Sequence, residues 1–295
     1  MDVLATFAKT VALVSKVSDN ISNIVSNREL EERFARMPAK LGSMGVDPFG
    51  FDPEYAKRFI GLIAWLYRKY FRCDAYGIEH IPEGPCLIVC NHSGQLPFDG
   101  AMVTAAIFLD REPPRFLRSM VEYFVPSTPF VSTFLARCGQ ILGTPDNCRR
   151  LLDSGDAILV FPEGVRGLNK TWEKRYQLQR FGQGFLRLAL EKKIPIVPAV
   201  VIGAEEQAPT LYNASFIGKF FGFPALPVTP LHPWLPGIGL LPLPTKYRIY
   251  FHEPINVTGD ANDEADVIQK KVDEIKSTMQ HMLDKGLRER QNVFW

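Results

Sequence analysis

The chain has 295 residues, of which 46% are hydrophobic and 22% charged, a composition typical of a folded globular protein. Its formal net charge of +2 is too small to indicate binding to nucleic acid, so we expect no nucleic-acid partner. Five scattered cysteines lack the spacing of metal ligands, which predicts free thiols and no metal site.

Apolar residues recur every three or four positions between residues 3 and 25, which predicts an amphipathic helix. Such a helix packs on the main domain or on a second copy of the chain, or it lies at a membrane interface. Residues 27–37 are charged and predict a second, solvated helix. The start of the chain has no basic region and no cleavage site, so we expect no signal peptide.

Asp52 and Pro53 are typical of a helix start and predict a third helix over residues 54–72. Residues 59–67 are apolar on almost every side and have basic flanks, which suits a helix lying among lipid headgroups. A core helix with basic ends fits the same pattern. We interpret residues 1–75 as a helical, membrane-associating segment and residues 76–295 as the main domain. No apolar run reaches about 18 residues, so we expect no spanning helix.

The apolar run at residues 86–90 predicts a buried strand that ends at a polar turn, Asn91-His92-Ser93-Gly94. Pro97 then begins a predicted helix with Asp99 in its first turn. Ligands bind at the carboxyl ends of strands in open α/β sheets, so His92 and Asp99 are a candidate catalytic pair. The imidazole would accept a proton and the carboxylate would orient it. Alternatively, both residues are structural, with Asp99 favouring the helix dipole.

A second predicted strand, at residues 157–161, breaks at Phe161-Pro162-Glu163-Gly164 and is followed by Arg166. A third, at residues 194–200, is apolar and contains two prolines. Between these strands lie segments with helical periodicity. This alternation predicts an α/β fold with a mostly parallel central sheet flanked by helices.

Three features of the sequence together resemble the glycerolipid acyltransferase family, which includes the lysophosphatidic acid acyltransferases. They are Asn91-His92 with Asp99, Phe161-Pro162-Glu163-Gly164 with Arg166, and the strand at residues 194–200. The resemblance covers residues 81–203. It implies transfer of a fatty acyl group from acyl-CoA or acyl carrier protein to a glycerolipid hydroxyl, such as that of 1-acylglycerol-3-phosphate, without a further cofactor. His92 would be the general base, oriented by Asp99. The implied substrate-binding residues are Asn91, Phe161, Pro162, Glu163, Gly164 and Arg166.

The chain departs from the family pattern in two places. Six residues separate His92 from Asp99, where four are usual, and no arginine stands in register within residues 139–146. The Leu96-Pro97 pair resembles the branch that acts on mono- and diacylglycerols, so a neutral glyceride is an alternative acceptor. A lipid esterase or thioesterase, and a non-catalytic lipid-binding protein, are further alternatives.

Three more expectations concern the surroundings of the site. Backbone N–H groups of the Asn91–Gly94 turn or of the following helix start would hold the oxyanion. The basic loop at residues 167–180 would meet the phosphates of acyl-CoA or an acidic carrier protein, or else it is a solvated loop without a ligand. Residues 220–245 contain seven prolines and no charged residue, so they either cover the core or lie against lipid. We expect a peripheral protein on the cytoplasmic face of a membrane, with membrane lipids as partners. The sequence makes no prediction of the oligomeric state.

Overall fold

The computed structural model of the chain describes residues 27–37, 41–93, 97–122, 131–214, 227–230, 234 and 241–295. The helix predicted over residues 3–25 lies outside these residues, as does most of the uncharged segment 220–245.

A seven-stranded sheet forms the centre of the molecule. Its strands are β1 (Asp74–Tyr76), β2 (Cys86–Cys90), β3 (Leu117–Val121), β4 (Ile141–Leu142), β5 (Ala157–Val160), β6 (Ile196–Ile202) and β9 (Arg248–Phe251), and a separate pair is formed by β7 (Tyr212–Asn213) and β8 (Pro227–Val228). The order is β1-β9-β6-β2-β5-β3-β4, and all neighbours run parallel except β6 and β9. The predicted mostly parallel sheet is therefore confirmed.

Helices cover both faces of the sheet. They are α1 (Asn27–Arg36), α2 (Pro53–Trp65), α3 (Phe98–Asp110), α4 (Val131–Arg137), α5 (Pro145–Asp153), α6 (Val165–Leu168), α7 (Gly184–Lys192) and α8 (Ala265–Glu289). α2 begins where the sequence predicts, because the Asp52 side chain accepts a hydrogen bond from the Tyr55 N–H. It continues as a π-helical turn, Leu66–Tyr70. α5 is capped by Thr144.

The core has two parts, one on each face of the sheet. Ile88 and Cys90 of β2 pack against α1, α2 and α3, while Leu87 and Val89 pack against α5, α7 and α8. Because successive side chains of a strand point to opposite faces, β2 is buried on both sides, as is typical of the centre of a parallel sheet.

The described part of the N-terminal segment belongs to this core. Leu30 and Phe34 of α1 are buried, and the Phe34 ring lies 4.9 Å from that of Phe108, so the prediction of a solvated helix is wrong for this face. Ile60 and Tyr67, from the apolar run of the third helix, are buried as well. None of the helices in the described ranges combines the length and apolar character needed to cross a bilayer.

The register of the central strands determines what lies beside His92. Val89 of β2 is paired with Val160 of β5, and Cys90 is paired with Ala199 of β6. Since all three strands run in the same direction, the residues that follow them meet at one edge, which we call the His92 edge.

Candidate active site

His92 and Asp99 form a hydrogen-bonded pair at the His92 edge. The Nδ1–H of His92 donates to Oδ2 of Asp99 at 2.7 Å, since an ionised carboxylate can only accept. Asp99 is fully buried, and its oxygens also accept the N–H groups of Ser93 at 2.9 Å and of Gly100 at 2.7 Å. These bonds hold the carboxylate still and leave the Nε2 lone pair of His92 for a proton. The six-residue separation therefore does not keep the pair apart.

The imidazole of His92 is held from two sides. Its ring stacks on that of Phe161, with centroids 4.1 Å apart and planes at 24°. On another side, α6 approaches so closely that a Cβ on Gly167 would lie 2.9 Å from both the Cβ and the carbonyl oxygen of His92. The absence of a side chain at residue 167 therefore allows this approach.

Glu163 supports the backbone of His92. Its Oε1 accepts the N–H of His92 at 3.0 Å, and its Oε2 accepts the N–H of Gln179 at 2.7 Å. The side chain is 2% exposed. The sequence predicted contact between Glu163 and substrate, but in this structure both oxygens are occupied by the protein itself.

The other predicted substrate-binding residues are placed differently from one another. Asn91 is fully buried, and its amide donates to the Val201 carbonyl at 3.1 Å and accepts the Val201 N–H at 2.7 Å, which joins the end of β2 to β6. Pro162 and Gly164 line a groove beside His92. Arg166 is exposed, and its guanidinium lies 3.4 Å from the carbonyl of Arg180.

Two of the N–H groups expected to hold an oxyanion are engaged within the protein. The N–H of His92 donates to Glu163 and that of Ser93 donates to Asp99. Neither is free to bind a developing negative charge on a substrate.

The groove beside His92 has a volume of about 430 Å³ and lies between the ends of β3, β4 and β5 and the helices α5 and α7. Its walls are mainly apolar, and they include Met120, Val121, Val160, Phe161, Phe185 and Leu188. An apolar groove of this size that opens beside His92 is suited to a hydrocarbon chain.

The two arginines of the groove are bound to acidic side chains or to the backbone. Arg149 donates to Glu191 at 2.8 Å and to Asp146 at 2.9 Å. The guanidinium of Arg187, also in the groove, donates to the carbonyls of Ala261 at 2.5 Å and of Asp263 at 3.1 Å. Both cations are thus already engaged.

A buried ionic cluster lies behind Glu163, and the sequence did not predict it. The Lys170 ammonium donates to Glu205 at 2.7 Å and lies 3.6 Å from Glu163. Burial acts to lower the pKa of Lys170, but the carboxylates of Glu205 and Glu163 outweigh it and raise that pKa. Burial raises the pKa of Glu205, because desolvation of its carboxylate outweighs the attraction of the Lys170 ammonium. Lys170, expected to meet phosphates, is buried instead.

The cluster continues to the end of α8. Glu205 also accepts the N–H of Tyr176 at 2.9 Å, and the Tyr176 hydroxyl donates to Glu206. Glu206 in turn accepts from the Arg290 guanidinium at 2.6 Å. A signal was present in the sequence, because two successive glutamates directly after a buried strand need buried partners.

The cysteines and acidic residues show no metal centre in the described part of the chain. No group of three or more histidine, cysteine, aspartate or glutamate side chains there is arranged to hold a metal ion. All five cysteines are free thiols. Burial raises the pKa of Cys148, which lines the groove, to about 11.

Three comparisons relate the chain to known proteins. The Acyltransferase family model matches residues 72–202. A Mycobacterium tuberculosis protein, Rv0502, is 39% identical over 260 residues, which cover 86% of this chain and 73% of that protein. The DGAT1/2-independent enzyme synthesizing storage lipids of Gallus gallus is 27% identical over 197 residues, covering 65% of this chain and 56% of that enzyme.

The solved structure of the 1-acyl-sn-glycerophosphate (LPA) acyltransferase PlsC from Thermotoga maritima has a similar fold. The TM-score is 0.52 over 95% of this chain and 97% of that one, at 13% sequence identity. The family match and the relative with 39% identity lead to one conclusion: the chain belongs to the acyltransferase family.

Proposed function

We propose that the chain transfers a fatty acyl group from a thioester to the hydroxyl of a neutral glyceride, a mono- or diacylglycerol. The observation that carries the proposal is the groove beside His92, whose walls are mainly apolar and whose arginines are already engaged. A neutral acceptor enters such a groove without the desolvation of an unpaired charge.

In the proposed reaction His92 acts as general base. Nε2 takes the proton of the acceptor hydroxyl while the hydroxyl oxygen attacks the thioester carbonyl. Asp99 stabilises the resulting imidazolium through the bond to Nδ1. When the tetrahedral intermediate collapses, the carbon–sulfur bond breaks and the imidazolium returns the proton to the departing thiolate. A well-placed general base contributes about 10²–10⁴ in rate.

The acceptor implied by the family resemblance, 1-acylglycerol-3-phosphate, is the alternative. A phosphate is bound through charge-assisted hydrogen bonds, usually from a cation that is free to reach it. Arg149 and Arg187 are held by partners of their own, and the second-motif arginine is missing from residues 139–146. The similarity to the Gallus gallus enzyme synthesizing storage lipids also supports a neutral product.

We assign the remaining predicted residues by their position. Phe161, Pro162 and Gly164 form the groove wall next to His92, where they would contact the acyl chain or the glyceride. Arg166, exposed at the same edge, would meet the anionic part of the donor, acyl-CoA or acyl carrier protein. We expect no further cofactor, and we expect the protein to work as a peripheral protein on the cytoplasmic face of a membrane.

The experiment that tests the function offers labelled acyl-CoA with monoacylglycerol, diacylglycerol and lysophosphatidic acid in parallel, to the wild type and to His92→Ala. We expect an acylated neutral glyceride from the wild type and at least about a 10²-fold lower rate in the variant. Acyl carrier protein donors are tried in the same way.

Other outcomes would replace the proposal. His92-dependent product on lysophosphatidic acid alone would establish the phosphate acceptor. Release of free fatty acid without transfer would indicate an esterase or thioesterase. If wild type and His92→Ala behaved alike with every donor and acceptor, the catalytic role of His92 would be refuted.

A further inference from the structure

We propose that the His92 edge carries a surface that docks on an anionic phospholipid bilayer. The surface, called here the apolar rim, consists of Leu211, Tyr212, Leu241, Phe294 and Trp295, all of them exposed. Leu241 is 63% exposed and Trp295 75%. Large apolar side chains left in water so close to one another usually mark an interaction site.

Hydrogen bonds bring the parts of the apolar rim together. The N–H of Leu243 donates to the carbonyl of Gln207 at 2.7 Å, which places residues 241–245 beside the segment that leads to Leu211. On their other side, Arg72 donates to the carbonyls of Pro244 at 2.6 Å and of Phe294 at 2.8 Å. These bonds bring the segment of Leu241 and the Phe294–Trp295 pair into one region, next to the segment that leads to Leu211 and Tyr212.

The sheet register places this region on the same side as the catalytic histidine. Arg248, the first residue of β9, is paired with Ile202 at the carboxyl end of β6 and donates to the carbonyl of Trp295 at 2.8 Å. β6 runs parallel to β2, whose carboxyl end carries His92. The rim and the catalytic base thus lie at the same edge of the sheet.

The charge of this region fits an anionic lipid surface. Lys69 is exposed, and the guanidinium of Arg72 lies 5.8 Å from the ring of Trp295. The acid Asp74 is paired with Lys246 at 2.8 Å. Aromatic rings beside basic side chains are typical of proteins that bind at the headgroup level of a bilayer.

The opposite edge of the sheet offers a matched control. Leu41 and Met44 are also exposed, but Leu41 lies beside the amino ends of the strands, in a cavity wall that includes the exposed acid Glu83. That cavity wall also includes Arg111, Arg115 and Arg118, so the control site differs from the apolar rim in lying at the opposite side of the sheet from His92.

The test measures flotation of the full chain with vesicles of equimolar phosphatidylcholine and phosphatidylglycerol. We expect the double variant Leu241→Ser/Trp295→Ser to lose at least about tenfold in partitioning, and the double variant Leu41→Ser/Met44→Ser to stay within about twofold of wild type. Higher salt should weaken wild-type binding, since it screens Lys69 and Arg72.

A second measurement uses Trp295→Phe, a mild change that keeps an aromatic ring. Brominated lipids quench tryptophans that enter the bilayer, so the quenched share of the emission should fall in this variant. Equal loss of partitioning in both double variants, or unchanged quenching in Trp295→Phe, would overturn the proposal. Binding does not depend on catalysis, so the docking surface and the proposed function can fail separately.

Discussion

At the scale of single residues, Glu163 shows how a motif residue can support the candidate active site through the protein backbone. Its two oxygens accept the N–H groups of His92 and Gln179, and the side chain is buried. A carboxylate has four acceptor positions and no hydrogen, which suits a site that contains only donors. Glu163 therefore fixes the backbone from which the catalytic imidazole projects.

Replacing Glu163 with glutamine tests this role. The amide NH₂ would face an N–H donor, so we expect a loss of stability of about 1–3 kcal/mol. Because the imidazole would shift, kcat should fall while KM for the acceptor stays close to wild type. Denaturant unfolding and steady-state kinetics measure the two effects, with the exposed Glu253→Gln as control. A raised KM with unchanged stability would instead support contact with the headgroup.

At the scale of elements, the short helix α6 determines how the imidazole of His92 is held. It follows Gly164, whose φ of 54° is disfavoured for residues with a side chain. This turn brings Gly167 against the backbone of His92. Phe161, which directly follows β5, and the helix α6 thus act as two sides of one clamp.

A methyl group at Gly167 should open this clamp. In Gly167→Ala the new Cβ would meet His92 backbone and Cβ atoms at 2.9 Å, so the histidine must move. A displacement of about 1 Å costs on the order of 10² in rate. Acyl transfer and thermal unfolding are compared with Gly84→Ala, whose Cβ would meet nothing within 4 Å. Full activity in Gly167→Ala would show that this contact does not position His92.

At the scale of the whole molecule, buried charges connect the active site to the end of α8. The cluster begins at Glu163, passes through Lys170 and Glu205, and reaches Glu206 and Arg290 by way of Tyr176. The residues of the cluster come from the turn after β5, the loops after α6 and β6, and the end of α8. The ionic cluster therefore couples the packing of distant elements to the position of His92.

Removing the Lys170 ammonium tests how far the ionic cluster stabilises the fold. In Lys170→Met the carboxylates of Glu205 and Glu163 lose their shared cation, so we expect a loss of stability of about 3–5 kcal/mol near neutral pH. Burial raises the pKa of Glu205, so the folded variant binds a proton at a pH where the unfolded chain has released it. The loss of stability should therefore shrink as the pH falls.

Denaturant unfolding from about pH 8 to about pH 5 measures this dependence. The control is Lys285→Met, which removes a lysine that is 64% exposed and should change stability by less than about 1 kcal/mol at every pH. A difference between Lys170→Met and wild type that stays constant or grows on acidification would contradict the assignment.

Much of the fold could be predicted because its signals are local. The apolar runs at residues 86–90 and 157–161 became β2 and β5, and Asp52 caps α2 as expected. His92 and Asp99 could be paired because a strand end and the next helix start are neighbours in an α/β fold.

The rest depends on contacts between residues far apart in sequence. The three residues of β1 form too short a strand to recognise, and the antiparallel direction of β9 is determined by packing. The charge of α1 concealed a face that packs on α3. Similarly, the partners of Lys170 lie in other loops, so its sequence neighbours, which are basic and solvated, gave the wrong indication.

The burial of the cysteines has a consequence for how turnover can be followed. Burial raises the pKa of all five thiols, to about 11 for Cys148 and about 12 for Cys138. Disulfide exchange proceeds through the thiolate. The cysteine thiols of the protein should therefore react only slowly with an aromatic disulfide reagent at neutral pH. With acyl-CoA as donor, coenzyme A leaves the site as a solvated thiol. The reaction of this released thiol with the reagent produces a colour. Acyl transfer can therefore be followed continuously, with little reaction of the reagent with the protein itself.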